Sequence, residues 1–329
     1  MSFITGIYAI DAPASALNNA RGQDNVGQVK AIRVQRHEYP YVSAQAWRYW
    51  IRETVKQIEP EWRSAPIYRG KGARQQAFTE GDPITYWDDD LFGYMRAEKT
   101  EEGKKGGALT RVAPFRVSTL VSAAPVEIVR DFGVMGRDEG DYVLHEHEFY
   151  RAVLVGGFSL DLSMAGTFVS QDRTGYRNLD KEGIEAAKRA GLEYLADRGA
   201  YRLPIEERMR RVSALLRAMA RLQGGAKQTL HLTDVSASLC CMAVLNHGNN
   251  PFLNLVAPTA QPAVHLGALD EALAVYAEDF QSPVYFGLRQ GFIDDARQAL
   301  QARELTVLHP RQAFEALADD LWSHPEWFT

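Results

Sequence analysis

The chain has 329 residues, 46% hydrophobic and 24% charged, the composition of an ordinary globular protein. No stretch approaches the ~20 consecutive apolar residues of a membrane helix. The start, Met1-Ser2-Phe3-Ile4-Thr5-Gly6, lacks the basic and apolar segments of a secretory signal. With two adjacent cysteines, Cys240 and Cys241, inside an apolar run, a disulfide framework is also excluded, and a reducing cytoplasmic setting is expected.

In chain order, residues 3–11 read as a strand rich in Ile, Phe and Tyr, closing at Ala12-Pro13. Residues 18–28 are a polar loop, and 30–35 alternate basic and apolar as a short strand. Ser43 then caps a helix whose apolar face is Ala44, Trp47, Ile51, Val55 and Ile58. Residues 63–90 read as irregular, 98–107 as a mobile charged loop and 112–129 as extended structure broken by Pro114 and Pro125. The longest strand-like run, 145–162, is expected to bend or bulge at Gly156-Gly157. Helices are expected over 184–195, 205–222, 269–280, 292–302 and 311–322. A strand at 284–288 lies between two of them, and 228–245 is apolar and β-branched. Strands interleaved with helices in this order predict an α+β fold.

The net charge of -5 argues against a polyanionic partner, but its distribution does not. Residues 21–74 carry 11 basic against 5 acidic side chains, and 99–116 carry 5 against 2. Residues 265–329 reverse this, with 4 against 11. Such asymmetry fits one face for a polyanion and another for protein partners. On the first helix, Gln45, Arg48, Arg52 and Lys56 form a line about a quarter-turn from the apolar face. At about 1.5 Å rise per residue the three cations span ~12 Å, roughly two phosphate spacings of an extended strand. Arginine forks suit phosphate oxygens. On spacing alone a solvated surface helix explains the line better. Cations beside aromatics recur at Arg33, Arg36, Tyr39 and Tyr41, and again at Arg111, Phe115 and Arg116, as in single-strand binders or in amphipathic strands.

Catalytic patterns are thin. His145-Glu146-His147-Glu148 puts two imidazoles on one strand face, too few for zinc. Asp88-Asp89-Asp90 reads as a solvated acidic turn rather than a magnesium site. Gly103-Lys104-Lys105-Gly106-Gly107 lacks the Ser/Thr of a phosphate loop, and no hydrolase or metalloprotease motif occurs. No metal, cofactor or catalytic residue is expected.

Several ordered stretches nevertheless resemble the DevR family of CRISPR-associated proteins, the backbone subunits of type I (Cascade, I-B-like) surveillance complexes. They are Tyr8-Ala9-Ile10-Asp11-Ala12-Pro13-Ala14-Ser15-Ala16-Leu17-Asn18-Asn19, Tyr41-Val42-Ser43-Ala44-Gln45-Ala46-Trp47-Arg48-Tyr49-Trp50, Asp88-Asp89-Asp90-Leu91-Phe92-Gly93-Tyr94-Met95, Arg116-Val117-Ser118-Thr119-Leu120, Phe132-Gly133-Val134-Met135 and Glu146-His147-Glu148-Phe149-Tyr150. The resemblance spans about residues 3–180. It implies a single elaborated RRM-like (ferredoxin-like) palm over 1–329, with finger and thumb insertions over about 63–145. It also implies a non-catalytic protein that stacks with copies of itself on a CRISPR guide RNA beside other Cascade subunits. The guide would then pair with target DNA. Carried onto this chain, Ser43, Gln45, Arg48 and Arg52 would face phosphates, Asn18 and Asn19 would lie close to the RNA, Arg33 would sit on a basic arm, and Arg111 and Arg116 would flank the thumb. The rival expectation is an RNA-cleaving backbone of the type III kind, using Asp11 or Asp24.

Overall fold

The structure, a computed structural model, describes residues 1–20, 26–69, 77–97, 108–135, 143–171, 177–259 and 261–329. It is α+β and built on a large mixed sheet, 11-stranded among the described residues. The elements that organise it are β1 (Phe3–Ser15), α1 (Ala44–Ile58), β2 (Leu120–Ser122), β3 (Val143–Asp161), α2 (Ile205–Ala220), β4 (Leu239–Leu245) and α3 (Pro310–Asp320). Along the sheet the order is Val307–Leu308, Tyr285–Leu288, β4, β1, β3, β2, His37–Val42, Ala31–Val34. β1 runs antiparallel to both flanking strands, with Tyr8 opposite Gly156 on one side and Cys240 on the other.

Alternation along β1 explains why both faces are covered. Ile4, Tyr8 and Ile10 point to a core shared with α1, α2 and α3, among them Trp47, Leu215 and Phe314. Ile7 and Ala9 point the other way, to a core closed by Leu269 of the helix Leu266–Val275 and Leu300 of the helix Asp294–Gln301. β4 is accordingly apolar at every position, Leu-Cys-Cys-Met-Ala-Val-Leu, all buried. Cys240 joins the first core and Cys241 the second, so the adjacent thiols face opposite ways.

Three local expectations differ from the fold. The pairing of β1 with β3 runs without interruption through Gly156-Gly157, and its register shift lies between Ala12 and Ser15. The glycines serve close approach instead: a Cβ on Gly156 would stand 2.9 Å from Leu120, and one on Gly157 2.6 Å from Leu253. The helix expected over 184–195 is Lys181–Arg189, ended by Gly191 at φ +64, and Glu193–Leu195 is a strand. Residues 63–90 are not irregular throughout, since Ile67–Arg69 pairs with Ala77–Thr79 and Trp87–Phe92 is a helix.

That short helix corrects the reading of Asp88-Asp89-Asp90 as a solvated turn. Asp89 and Asp90 are buried. Asp88 Oδ1 accepts from Ala65 N at 2.8 Å, and Asp89 Oδ2 accepts from Gly81 N and Asp82 N at 3.0 Å each. Burial pushes the Asp89 carboxyl up to about 6. Asp90 is a hub: its carboxylate accepts Arg111 Nη2 at 2.5 Å, Arg211 Nη1 at 2.8 Å and Gly166 N at 3.1 Å. Arg111 also donates to the carbonyls of Asp90, Thr167 and Met164, and Arg211 to those of Pro83 and Ile84 and to Glu207 Oε1.

A carboxylate removed from between two buried guanidiniums leaves both charges without compensation, at a cost of about 3–5 kcal/mol. Asp90→Ala is therefore expected to lower the urea midpoint of unfolding by that equivalent, and an unchanged midpoint would refute the hub.

Candidate nucleic-acid interface

Ser43 caps α1 as its type and position predict, its Oγ accepting from Ala46 N at 3.3 Å. The buried side of the helix is Trp47, Trp50, Ile51, Thr54 and Val55, broader than the apolar spacing alone implies. Opposite it, Gln45, Tyr49 and Lys56 are exposed, and Arg48 and Arg52 are half-buried at the rim. Tyr49, part of the family-like stretch, is absent from the line of candidate contacts drawn from the sequence. It lies four residues after Gln45 and three before Arg52, so the helical spacing that drew the line also contains it.

Arg48 and Arg52 converge on Phe92, at the end of the Asp-rich helix. Their guanidinium carbons stand 5.5 and 4.5 Å from the ring centroid, and Arg48 Nη2 donates to the Phe92 carbonyl. Neither forms an ion pair with a carboxylate among the described residues. Burial, and secondarily the Arg52 charge, pull Arg48 down to about 10. Burial also lowers Arg52, against the opposing pull of Asp88, Asp89 and Glu53. Both stay cationic at neutral pH, two half-dehydrated charges side by side, an arrangement that an anion would relieve.

The loop after β1 meets the start of this helix. Asn18 Oδ1 accepts from Ser43 N at 3.3 Å, and its carbonyl accepts from Lys30 N. Asn19 bridges to Val29 through the backbone, while its side-chain oxygen is sealed from solvent without a partner among the described residues. Alongside runs the segment Gly224-Gly225-Ala226-Lys227. Ala226 N donates to the Leu17 carbonyl, and Thr54 Oγ1 exchanges bonds with the backbone of Gln223. Lys227 ends the segment at φ +56, exposed and without an ion pair among the described residues. Its sequence signal was the glycine pair, whose role only the packing reveals.

The fold thus gathers Asn18, Asn19, Ser43, Gln45, Arg48 and Arg52, and adds Tyr49, Phe92 and Lys227. Arg33 is elsewhere, on the hairpin of Ala31–Val34 with His37–Val42, exposed and paired with Glu38 at 2.7 Å. Arg116 is exposed on the strand Phe115–Val117, its Nε donating to the Ala113 carbonyl. Arg111 corrects the expectation of an RNA-facing cation. It is 2% exposed and its donors are engaged within the Asp90 hub. Asp11 is ion-paired with Arg151, and Asp24 and the tract 98–107 lie outside the described residues. His147 stacks with His145 and lies tilted against Phe149 and His231, while Glu148 on the other face accepts from Val29 N and Arg130 Nε. Among the described residues no group of three or more His, Cys, Asp or Glu side chains could hold a metal ion, and no helix is long and apolar enough to cross a membrane.

Gly224 has φ +151, and a Cβ there would stand 2.4 Å from Trp50. Gly224→Ala is expected to cost about 1–3 kcal/mol in strain and to displace the indole. A drop in melting temperature with a shift in tryptophan emission would report both, and neither changing would count against this packing.

A family model described as "CRISPR-associated negative auto-regulator DevR/Csa2" matches residues 8–257. No curated protein sequence matches the chain. Among solved structures, a chain of a "CRISPR RNA-guided surveillance complex" has the same fold with a TM-score of 0.57 at 13% identity, over 97% of this chain and 99% of that one. A chain of a "CRISPR RNA-guided surveillance complex, pre-nicking" gives 0.55 at 13% identity, over 97% and 100%. At that identity the likeness is one of fold alone, whereas the family match takes in most of the sequence. The chain belongs to the DevR/Csa2 family of CRISPR-associated proteins.

Proposed function

We propose that this protein is the guide-RNA-binding backbone subunit of a type I surveillance complex, with no chemistry of its own. Copies would assemble along the RNA in the cytoplasm and present its bases to target DNA beside the other subunits. The observation that carries this reading is the pair Arg48 and Arg52, half-buried on Phe92 with no ion-paired carboxylate among the described residues. An extended phosphate backbone is the polyanion such a line fits, with Tyr49 as a stacking surface beside it. The antiparallel order β4, β1, β3, β2, with α1 and α2 in the two crossovers, supports reading the centre as a ferredoxin-like palm. On that reading 1–329 is one elaborated domain, and the stretch about 63–145 supplies the insertions apart from the sheet strands Phe115–Val117, Leu120–Ser122 and Val129–Met135.

Each phosphate contact contributes roughly -0.7 to the salt slope of single-strand binding. Arg48→Ala combined with Arg52→Ala is expected to weaken RNA binding across unrelated sequences and to flatten the slope by about 1.4. Wild-type affinity and slope in a variant with an unchanged melting temperature would sink the assignment. Size exclusion with and without guide RNA separates assembly on RNA from binding by a lone module.

A further inference from the structure

The imidazoles of the His145-Glu146-His147-Glu148 run, which RNA binding leaves unused, meet the segment that borders α1. Residues 227–232 form a short strap tied at both ends. Just before it, Ala226 N donates to the Leu17 carbonyl, and just after it Thr233 Oγ1 meets Ser15 Oγ at 2.7 Å. Between these ties sits a single turn, Gln228–His231, closed by Leu230 N and His231 N donating to the Lys227 carbonyl. Leu230 and Leu232 are 59% and 88% exposed, so neither holds the strap down. Gln228 Nε2 donates only locally, to the carbonyls of Thr233 and Gly224. What seats the strap is His231, whose ring centroid stands 6.0 Å from that of His147 and 5.7 Å from that of Phe149, both on β3.

This seat is metastable. Lys227 and Leu232, at the two ends of the turn, have φ +56 and +46, left-handed backbone that neither residue type favours. His147 Nδ1 and His231 Nε2 are sealed from solvent without a hydrogen-bond partner among the described residues. The charges nearby are unevenly placed. Asp131, on the neighbouring strand Val129–Met135, faces His147 Nε2 at 3.6 Å, whereas no carboxylate is ion-paired with His231 among the described residues. His145 stacks on His147, while Glu146 and Glu148 share the opposite strand face, where Glu148 is held by Val29 N and Arg130. Burial, and after it the His147 and Lys227 charges, lower the His231 imidazole below its ordinary value. A proton on His147 would be matched by Asp131, but one on His231 would meet His147 and Lys227 with no counter-charge.

We propose that residues 227–232 are a proton-released strap, seated on β3 while His231 is neutral and lifted when His231 takes a proton. Lifting turns His231 out to water and frees Lys227 from its place beside α1, which loosens the border of the cationic line; only that last consequence rests on the guide-RNA reading. Because His231 binds its proton less readily seated than free, the seat is complete above the free value of about 6.5 and weakens as pH falls through it.

Hydrogen–deuterium exchange of the full chain without RNA, corrected for the intrinsic effect of pH, reads the strap directly. From pH 7.5 to 5.5, opening of residues 228–232 is expected to rise several-fold, and by at most about tenfold for one proton. His231→Phe keeps a ring in the seat and removes the titrating group, so its opening is expected to stay flat. His145→Phe, away from the His231 ring, is expected to respond as wild type does. In the wild type the opening midpoint is expected to coincide with the His231 ring titration followed by NMR. A wild type indifferent to pH, a His231→Phe variant that still responds, or a midpoint that follows another histidine would overturn the strap. The RNA affinity of wild type relative to His231→Phe is expected to fall over the same range. A constant ratio would overturn its control of the line, whereas failure of both proteins to bind RNA would overturn the guide-RNA reading instead.

Discussion

Asp90 sits where the Asp-rich helix, the strand Ala108–Arg111, the turn at Gly166 and α2 meet, and its carboxylate is what allows two guanidiniums to enter that junction. Ions lose hydration on burial, and the cost is recovered only when nearly every donor and acceptor finds a partner. Arg111 and Arg211 meet that condition through carbonyls from the segments 83–90 and 164–167, together with the Asp90 and Glu207 carboxylates. The hub fixes the helix Trp87–Phe92, and with it the ring and carbonyl of Phe92 on which Arg48 and Arg52 rest. The line of cations on α1 is therefore set from below by an ion cluster that never reaches solvent.

The same side chain thus has three fates in this molecule, and partners decide which. Arg111 and Arg211 share a carboxylate and are sealed; Arg208 of α2 is buried among the carbonyls of Leu162, Ala165 and Phe328; Arg48 and Arg52 stand at the rim on an aromatic ring. The sequence around α1 was legible because its information is local: a cap, an apolar spacing and a polar line all lie within 16 residues, Ser43 to Ile58. Arg111 was misread because a cation near an aromatic looks the same whether it awaits phosphate or pairs with Asp90, 21 positions earlier. The acidic triplet was misread for the same reason, since the partners of Asp90 come from Gly166 and Arg211. Gly156-Gly157 illustrates a related limit. Glycine marks either a bend or a tight approach, and only the neighbours, Trp47 and Leu120 for Gly156, distinguish the two.

Sheets of this strand order offer nucleic acids an open face in some domains, with aromatic side chains stacking under bases. Here the face of β1 that carries Ile7 and Ala9 is closed by the acidic C-terminal part, with Phe252, Leu269 and Leu300 packed in its core. On the proposed reading, recognition would move to the opposite layer, to a helix edge bordered by the loops 17–19 and 224–227. The net negative charge is compatible with that division, because the acidic residues are concentrated in the segment 265–329, whose apolar side chains close the far face.

The placement of β1 between β3 and β4 has a consequence for how the protein is made. Tyr8 precedes its neighbours Gly156 and Cys240 by about 150 and 230 residues, so both partners are synthesised much later. An apolar strand with both edges unpaired must wait until they emerge, and contacts so distant in sequence close slowly. The sheet centre is therefore completed only when β4 arrives, and until then β1 is an apolar strand open at both edges.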